Sequence, residues 1–596
     1  MKYLKTTFFF FLFLGNISAQ WTELPDNMYG DTLQFPFYYG VASGDPTSDG
    51  VILWTKVETD ITQVNPIPLT YEIATDNAMA NVIQTGSVDA TILTDWTAKV
   101  DVSGLNAAST YYYKFEDDQG NPSQIGRTKT APSGASSELN FIVASCSSAY
   151  SGYFNAYKRI AERDEVDLVI HLGDYIYDFP DPDELVRIPE PFPIDPLYLN
   201  EWRDLHRYYL LDPDLRAMRQ MHPMAAIWDN HDTDGNDAAT TMQAMQAFHE
   251  YLPVREQDTD LHLYRTLKYG DLVDIIMMDA QLYRDQDVIA PGEVSCLGTT
   301  QYDWLTDEID NSTAQWRIFG TQKMFGTWNI QDSPINLPIG NDTVVDPGSW
   351  DGFELEREMI LTHLDDNNID DNIFISGDLH MALAMDLPIH PFDSTEYDPE
   401  TGAGSIGVEM MGGSITRGNF DEMGYAPVLQ NVLIEISMGL NPHHVYEELV
   451  KQGYGKLIIR PDTMFGEFWF SEILEITNEE EMGKKLFCEA GSNHWQDYSI
   501  ITSTTDVSKN GFALGNPFPN PAKNTVQLSL EMKETEDVSF GIIGLDGKSV
   551  GNEEQKNALG NSSTTLELNT SNLAAGIYFI SIKGESFYEV RKIVVE

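Results

Sequence analysis

The chain has 596 residues, enough for several domains, and its 42% hydrophobic content is that of globular protein. Lys and Arg total 36 against 93 Asp and Glu, a net charge of −57, which argues against the basic footprint that nucleic-acid binding needs. A strongly acidic surface is well solvated and stays soluble at high salt, where repulsion is screened.

In chain order, Lys2 and Lys5 precede the apolar run Phe8 to Leu14, then Ile17-Ser18-Ala19 and Gln20. A basic start, a short apolar core and a small-residue cleavage site read as a secretory signal peptide over 1–19. The core is too short to span a bilayer, and no other long apolar run appears, so no transmembrane segment is expected. Residues 36–133 carry alternating β patterns with turn signals, such as Val51 to Thr55 and Thr110 to Phe115. They predict a small N-terminal β-sandwich, closed by a linker at Thr130 to Ser137.

From 139 to 503, strand-like runs alternate with helical stretches such as Tyr153 to Arg163 and Ala238 to Tyr251, which predicts an α/β layered region. The acidic, proline-rich stretch Phe179 to Pro196 reads as an inserted loop. Beyond Asn516-Pro-Phe-Pro-Asn-Pro521, short β runs at Thr525–Leu530, Val538–Leu545 and Gly576–Ser581 predict a separate all-β domain over 514–596. Of three cysteines, Cys296 and Cys488 could form a disulfide or remain unpaired.

Four apolar runs in the α/β region end in metal-ligand residues. They are Phe141 to Cys146, Leu168 to Asp174 and Tyr177, Ala226 to Asn230-His231-Asp232, and Ile373 to Asp378 and His380. Ligands delivered from several strand ends to one crevice is how α/β proteins build active sites. Cys146, Asp174, Tyr177 and His380 offer S, O, O and N, and the anionic thiolate and phenolate suit trivalent iron. Asp174, Asn230 and Asp378 offer only oxygen, which suits Ca2+ or Mg2+. With Asp174 as bridge, the two sets form a two-metal site suited to phosphoryl transfer. His231, next to Asn230, would then lie beside substrate as a hydrogen-bond donor or acid, with Asp232 as a candidate to orient it. Taken singly, Cys146 and Tyr177 read as core residues, and the remaining members as turn or structural groups. His206, His222, His249, His443 and His444 lack such context, and Asn441 to His444 reads as a turn.

These residues resemble the PhoD family of alkaline phosphatases and phosphodiesterases, within the wider metallophosphatase group. The resemblance spans about residues 36–503. It rests on Tyr39-Gly-Val-Ala-Ser-Gly-Asp-Pro46, Val51 to Thr55, Ala144-Ser-Cys146, His171 to Tyr177, Trp228 to Asp232, Leu297 to Leu305 and Gly377 to His380. It implies a metallophosphatase-like α/β fold, a β-sandwich flanked by helices. It also implies Fe3+ on Cys146, Asp174, Tyr177 and His380, and Ca2+ on Asp174, Asn230 and Asp378. Asp174, Asn230 and His231 take the catalytic positions, acting on a phosphate ester. The family commonly has Asp-Thr-Arg-x-Tyr-Arg where this chain has Asp279-Ala-Gln-Leu-Tyr-Arg284, so Gln281 replaces a cation near the substrate channel. Pro519 to Pro521 and Leu573 to Phe579 resemble the sorting domain of the type IX secretion system. That implies passage through the periplasm and delivery by that machinery to the cell surface or medium. The expected function is a secreted metal-dependent phosphoric ester hydrolase. Two other readings are a phospholipase-type diesterase on the same site and a non-catalytic surface binding protein.

Overall fold

The computed structural model describes residues 34–498 and 512–595, apart from 60–61, 180–185, 188–195, 234–237, 258–260, 285–286, 291, 332, 334–342, 420–429, 516, 518–521, 544–548, 551–553, 559, 561, 575 and 585–587. The signal-peptide run, most of the Phe179–Pro196 loop and most of Asn516–Pro521 lie outside the described residues. The chain divides into two compact units, Met1–Tyr498 and Ser499–Glu596.

Two large mixed sheets organise the first unit. The first has ten strands, with Leu139–Ala144, Leu168–Leu172 and Pro223–Ile227 parallel at its centre. The second has seven, with Val273–Met277, Trp316–Gly320, Asn372–Ser376 and Ser405–Gly412 parallel. The near-continuous apolar runs follow from burial of both strand faces. In the second sheet Ile275, Ile318, Ile373 and Ile375 enter one core with Val143 and Leu172 of the first sheet. Their neighbours Ile276, Phe319 and Phe374 enter another, under Leu305 and Ile309 of helix Gly298–Asn311 and Ile360 and Leu364 of helix Glu354–Asp366. Side-chain period 2 thus splits each strand between two cores.

The predicted N-terminal sandwich has its own core, with Val51, Leu53, Ile73, Tyr113 and Phe115 packed between two layers. One layer is the four-stranded sheet of Val82–Ala90, Ile67–Ala74, Thr110–Glu116 and Gly126–Lys129. The other is an extension of the first large sheet. Val41–Gly44 pairs in parallel with Pro223–Ile227, and Gly50–Lys56 and Thr97–Ser103 follow outward. Trp54 faces the opposite side of this layer. It enters the large core, donates to the Glu250 carbonyl at 2.8 Å and lies under the Arg219 guanidinium at 4.6 Å. The N-terminal segment is therefore bonded edge to edge with the α/β region.

All three cysteines are free and buried. The disulfide reading of Cys296 and Cys488 is corrected: Cys296 sits in the core beneath the second sheet, and Cys488 in the core of the first. The second unit is a small all-β sandwich. Its sheets are Phe512–Leu514, Thr525–Met532 and Ser562–Asn569, and Glu554–Ala558, Glu536–Ile543, Gly576–Lys583 and Tyr588–Val595. Alternate residues such as Val526, Leu528, Leu530, Phe540, Ile542, Ile580 and Ile582 form its core.

The two large sheets approach closely at Gly412, where a Cβ would lie 2.7 Å from the Val143 carbonyl oxygen and 2.8 Å from the Gly455 amide nitrogen. Gly412→Val is expected to cost about 1–3 kcal/mol, the usual penalty of overpacking, read as a lower denaturation midpoint. An unchanged midpoint would contradict the close sheet contact.

Candidate metal centre

The parallel strands of both sheets end at one crevice, and their carboxyl ends supply the site. Leu139–Ala144 leads to Cys146, Leu168–Leu172 to Asp174 and Tyr177, Pro223–Ile227 to Asp229 and Asn230, and Asn372–Ser376 to Asp378 and His380. Two donor groups form. Cys146, Asp174 and His380 offer atoms all within 4.8 Å of one another, as do Asp174, Asp229 and Asp378. Asp174 belongs to both.

Four of the donors sit on strained backbone. Cys146, Asp174, Asp378 and His380 all have left-handed backbone, with φ of +57°, +50°, +70° and +59°. Such conformations cost about 1–3 kcal/mol each in non-glycine residues and cluster at functional sites. Gly173, at φ +99°, must be glycine, since a Cβ there would meet the Asp229 Cβ at 2.5 Å. The Cys146 amide donates to the Gly173 carbonyl at 3.2 Å and the Ser147 amide to the Asp174 carbonyl at 2.9 Å, which binds the first two strand ends together.

Within the cluster, the Tyr177 hydroxyl donates to Asp174 Oδ2 at 3.1 Å and lies 3.2 Å from His380 Nε2. His380 Nδ1 reaches the Gly418 carbonyl at 2.9 Å, which orients the ring with Nε2 toward the site. The His231 amide donates to Asp174 Oδ1 at 3.2 Å. Its ring lies tilted against that of Tyr177 with centroids 4.2 Å apart, and Nδ1 meets Asp178 Oδ1 at 2.7 Å. Asp178 therefore orients His231. Asp232 does not: its carboxylate accepts the amides of Asp229, Tyr175 and Ile176 at 3.0, 3.2 and 3.1 Å, pinning two loops instead. Cys146, Asp174, Tyr177 and Asp229 form a buried floor, while Asn230, His231, Asp378 and His380 are half-buried at the mouth.

The electrostatics are those of crowded acids. Burial, then Asp174, pushes the Cys146 thiol and the Tyr177 phenol well up. Burial also raises Asp174, and raises Asp229 strongly. Asp378 runs the other way: burial would raise it, but the adjacent Lys323 ammonium holds it below the usual carboxylate range. His380 is pushed down to about 3 by burial and then Arg417, which keeps the imidazole neutral, as a ligand must be. His231 is raised despite burial, because Asp174 and Asp178 favour its cation.

Residues that sequence reasoning missed complete the site. Lys323 follows strand Trp316–Gly320 and reaches Asp229 Oδ2 at 3.0 Å and Asn230 Oδ1 at 3.1 Å, with Asp378 also in contact. Another strand end was its only signal. Arg417 lies 5.3 Å over the Tyr177 ring, after strand Ser405–Gly412. Asp279 accepts from Trp228 Nε1 at 2.7 Å and from the Gln281 amide at 2.9 Å, so it supports the Trp228–Asp232 loop. The unassigned histidines stay structural: His222 and His443 bond the carbonyls of Ile160 and Thr327 at 2.9 Å, and His444 bonds Glu447 at 2.7 Å.

The donor chemistry fits metal ions. A buried thiol, phenol and carboxylates, with Asp229 Oδ1 lacking a hydrogen-bond partner, form a set that a cation would deprotonate and satisfy. Fold and site thus define a metal-centre enzyme of the two-sheet α/β type. Residues 141–468 match the PhoD-like phosphatase family, residues 27–132 its N-terminal domain, and residues 516–596 a secretion-system C-terminal sorting domain. Alkaline phosphatase D of Bacillus subtilis is 29% identical over 424 residues, covering 64% of this chain and 70% of that protein. A solved structure of PhoD superposes with a TM-score of 0.69 at 25% identity, over 78% of this chain and 92% of the other. The chain belongs to the PhoD-like phosphatase family, hydrolases acting on phosphoric ester bonds. Its tail is a type IX sorting domain, which implies delivery to the cell surface or outside. No helix among the described residues is long and apolar enough to cross a membrane.

Asp232→Ala would leave three buried amides without an acceptor. A loss of at least about 1–3 kcal/mol, the penalty for one unsatisfied buried donor, is expected in denaturant unfolding. Wild-type stability would show that this carboxylate does not pin the loops.

Proposed function

We propose that this protein hydrolyses phosphate mono- or diesters outside the cell, after export through the periplasm. Fe3+ would be held by Cys146, Asp174, Tyr177 and His380, and Ca2+ by Asp174, Asn230 and Asp378. The observation that carries this reading is the sharing of Asp174 between a thiol–imidazole group and an all-carboxylate group. The anionic thiolate and phenolate of the first suit trivalent iron, and the hard oxygens of the second suit calcium. Such ions, when bound, would supply Lewis-acid stabilisation of phosphoryl oxygens and lower the pKa of a bound water.

The chain's own residues do the rest. Asp178 fixes the His231 ring through Nδ1, which leaves Nε2 as the nitrogen to meet substrate. At the mouth of the site, that nitrogen is suited to donate a hydrogen bond or proton to the leaving ester oxygen. Asn230 stands beside it, with Oδ1 accepting from the Lys323 ammonium at 3.1 Å. The buried floor excludes water from the thiol and phenol, which strengthens every charge interaction there.

Purified mature protein, with an aryl phosphate monoester and the matching diester at alkaline pH in excess Ca2+, is expected to release phenol from at least one. The ratio of rates assigns monoesterase or diesterase character. No release from either by metal-loaded protein would overturn the reading. Asp174→Asn is expected to lower turnover by at least about 10²–10³-fold, as for loss of a principal charge-stabilising group, with unchanged circular dichroism. Asp178→Asn is expected to lower turnover roughly 10–100-fold, the usual cost of losing a partner behind a site residue, with metal content unchanged. Wild-type turnover in either variant would contradict the assigned roles.

A further inference from the structure

Lys323 is a cation inside the centre to which the metal assignment gives no role. It is 5% exposed and stands at the end of a core strand. Its ammonium touches Asp229, Asn230 and Asp378, with distances of 3.0 Å to Asp229 Oδ2 and 3.1 Å to Asn230 Oδ1. Two of those three residues, Asn230 and Asp378, are also proposed ligands of the divalent ion. A Ca2+ ion would sit about 2.3–2.6 Å from the same oxygens, and so directly against the ammonium. Two cations cannot share those oxygens without strong mutual repulsion at that depth.

We infer that Lys323 is a built-in competitor for the divalent half of the centre. Its ammonium fills the oxygen set when the ion is absent and must be displaced, or repelled, when the ion enters. This rests on the reading of Asp174, Asn230 and Asp378 as ligands. A resident ammonium offsets the repulsion among the Asp174, Asp229 and Asp378 carboxylates. It also makes this half of the centre weak and exchangeable, so occupancy follows the Ca2+ concentration around the cell surface. Lys323 is thus a positioning residue that sets ion affinity.

The test is calorimetric titration of Ca2+ into full-length mature protein that retains iron and has been stripped of calcium by EGTA. Wild type, Lys323→Met, Lys323→Gln and Lys323→Arg are compared, with thermal midpoints recorded in parallel. The neutral variants are expected to bind Ca2+ at least 10-fold more tightly, and Lys323→Arg within 3-fold of wild type. In calcium-free buffer the neutral variants are expected to melt lower than wild type, and added Ca2+ to restore them. Unchanged or weaker Ca2+ binding in both neutral variants would overturn the inference, as would absence of binding in every protein. Ester hydrolysis by the same wild-type sample separates the two claims. Hydrolysis without an affinity shift defeats the competitor role alone, and an affinity shift without hydrolysis defeats the functional reading alone.

Discussion

The Asp174 carboxylate is the constraint around which the centre is arranged. One oxygen accepts the His231 amide and the other the Tyr177 hydroxyl, at 3.2 and 3.1 Å, so a single side chain ties the second and third strand ends together. Its backbone carbonyl takes the Ser147 amide and so ties in the first. The fourth strand end joins through His380, whose ring meets Tyr177. These contacts work only because the parallel strands of both sheets stop at one edge. The left-handed turns at Cys146, Asp174, Asp378 and His380 then fold the donors over that edge. The strain of those turns is sustained by sheets buried on both faces.

Charge is the second organising term. The crevice concentrates carboxylates, a thiol and a phenol where water is scarce, and burial alone would keep most of them neutral. Lys323 on one side and Arg417 on the other are the protein's own cations there, and they sit on opposite donor groups. The thiol–imidazole–phenol group has the Arg417 guanidinium over the Tyr177 ring and, among the described residues, no lysine ammonium in contact. The carboxylate group holds one in direct contact. The acidic surface of the whole chain, net −57, adds a field that draws cations toward the molecule and asks for metal charge at the site to receive an anionic ester.

Much of this was legible in the sequence because buried parallel strands write themselves as unbroken apolar runs, and the residues just past their ends are the ones that face the crevice. Leu168–Leu172 and helix Ala238–Tyr251 fall where the patterns placed them. Asp229 and Lys323 were not legible for a different reason. Asp229 stood inside a motif already explained by Asn230 and His231, and Lys323 is not a metal-ligand type. Asp232 was only a candidate to orient His231, because chain adjacency carries no side-chain direction; its carboxylate turns back to three amides while Asp178 reaches His231 from another strand end. Edge pairing was also hidden. Val41–Gly44 looks like part of a self-contained sandwich, yet its free edge completes the large sheet beside Pro223–Ile227. Nothing in local alternation distinguishes a strand that pairs within its segment from one that pairs outside it.

The central claim is that two unlike metal ions share Asp174, one of them bound by thiolate and phenolate. Elemental analysis of the purified mature protein, taken together with its visible spectrum, tests it most directly. The account predicts one iron per chain with a visible charge-transfer band that Tyr177→Phe shifts or removes, and calcium that EGTA extracts while the iron stays. A colourless, fully active protein containing only zinc would contradict it.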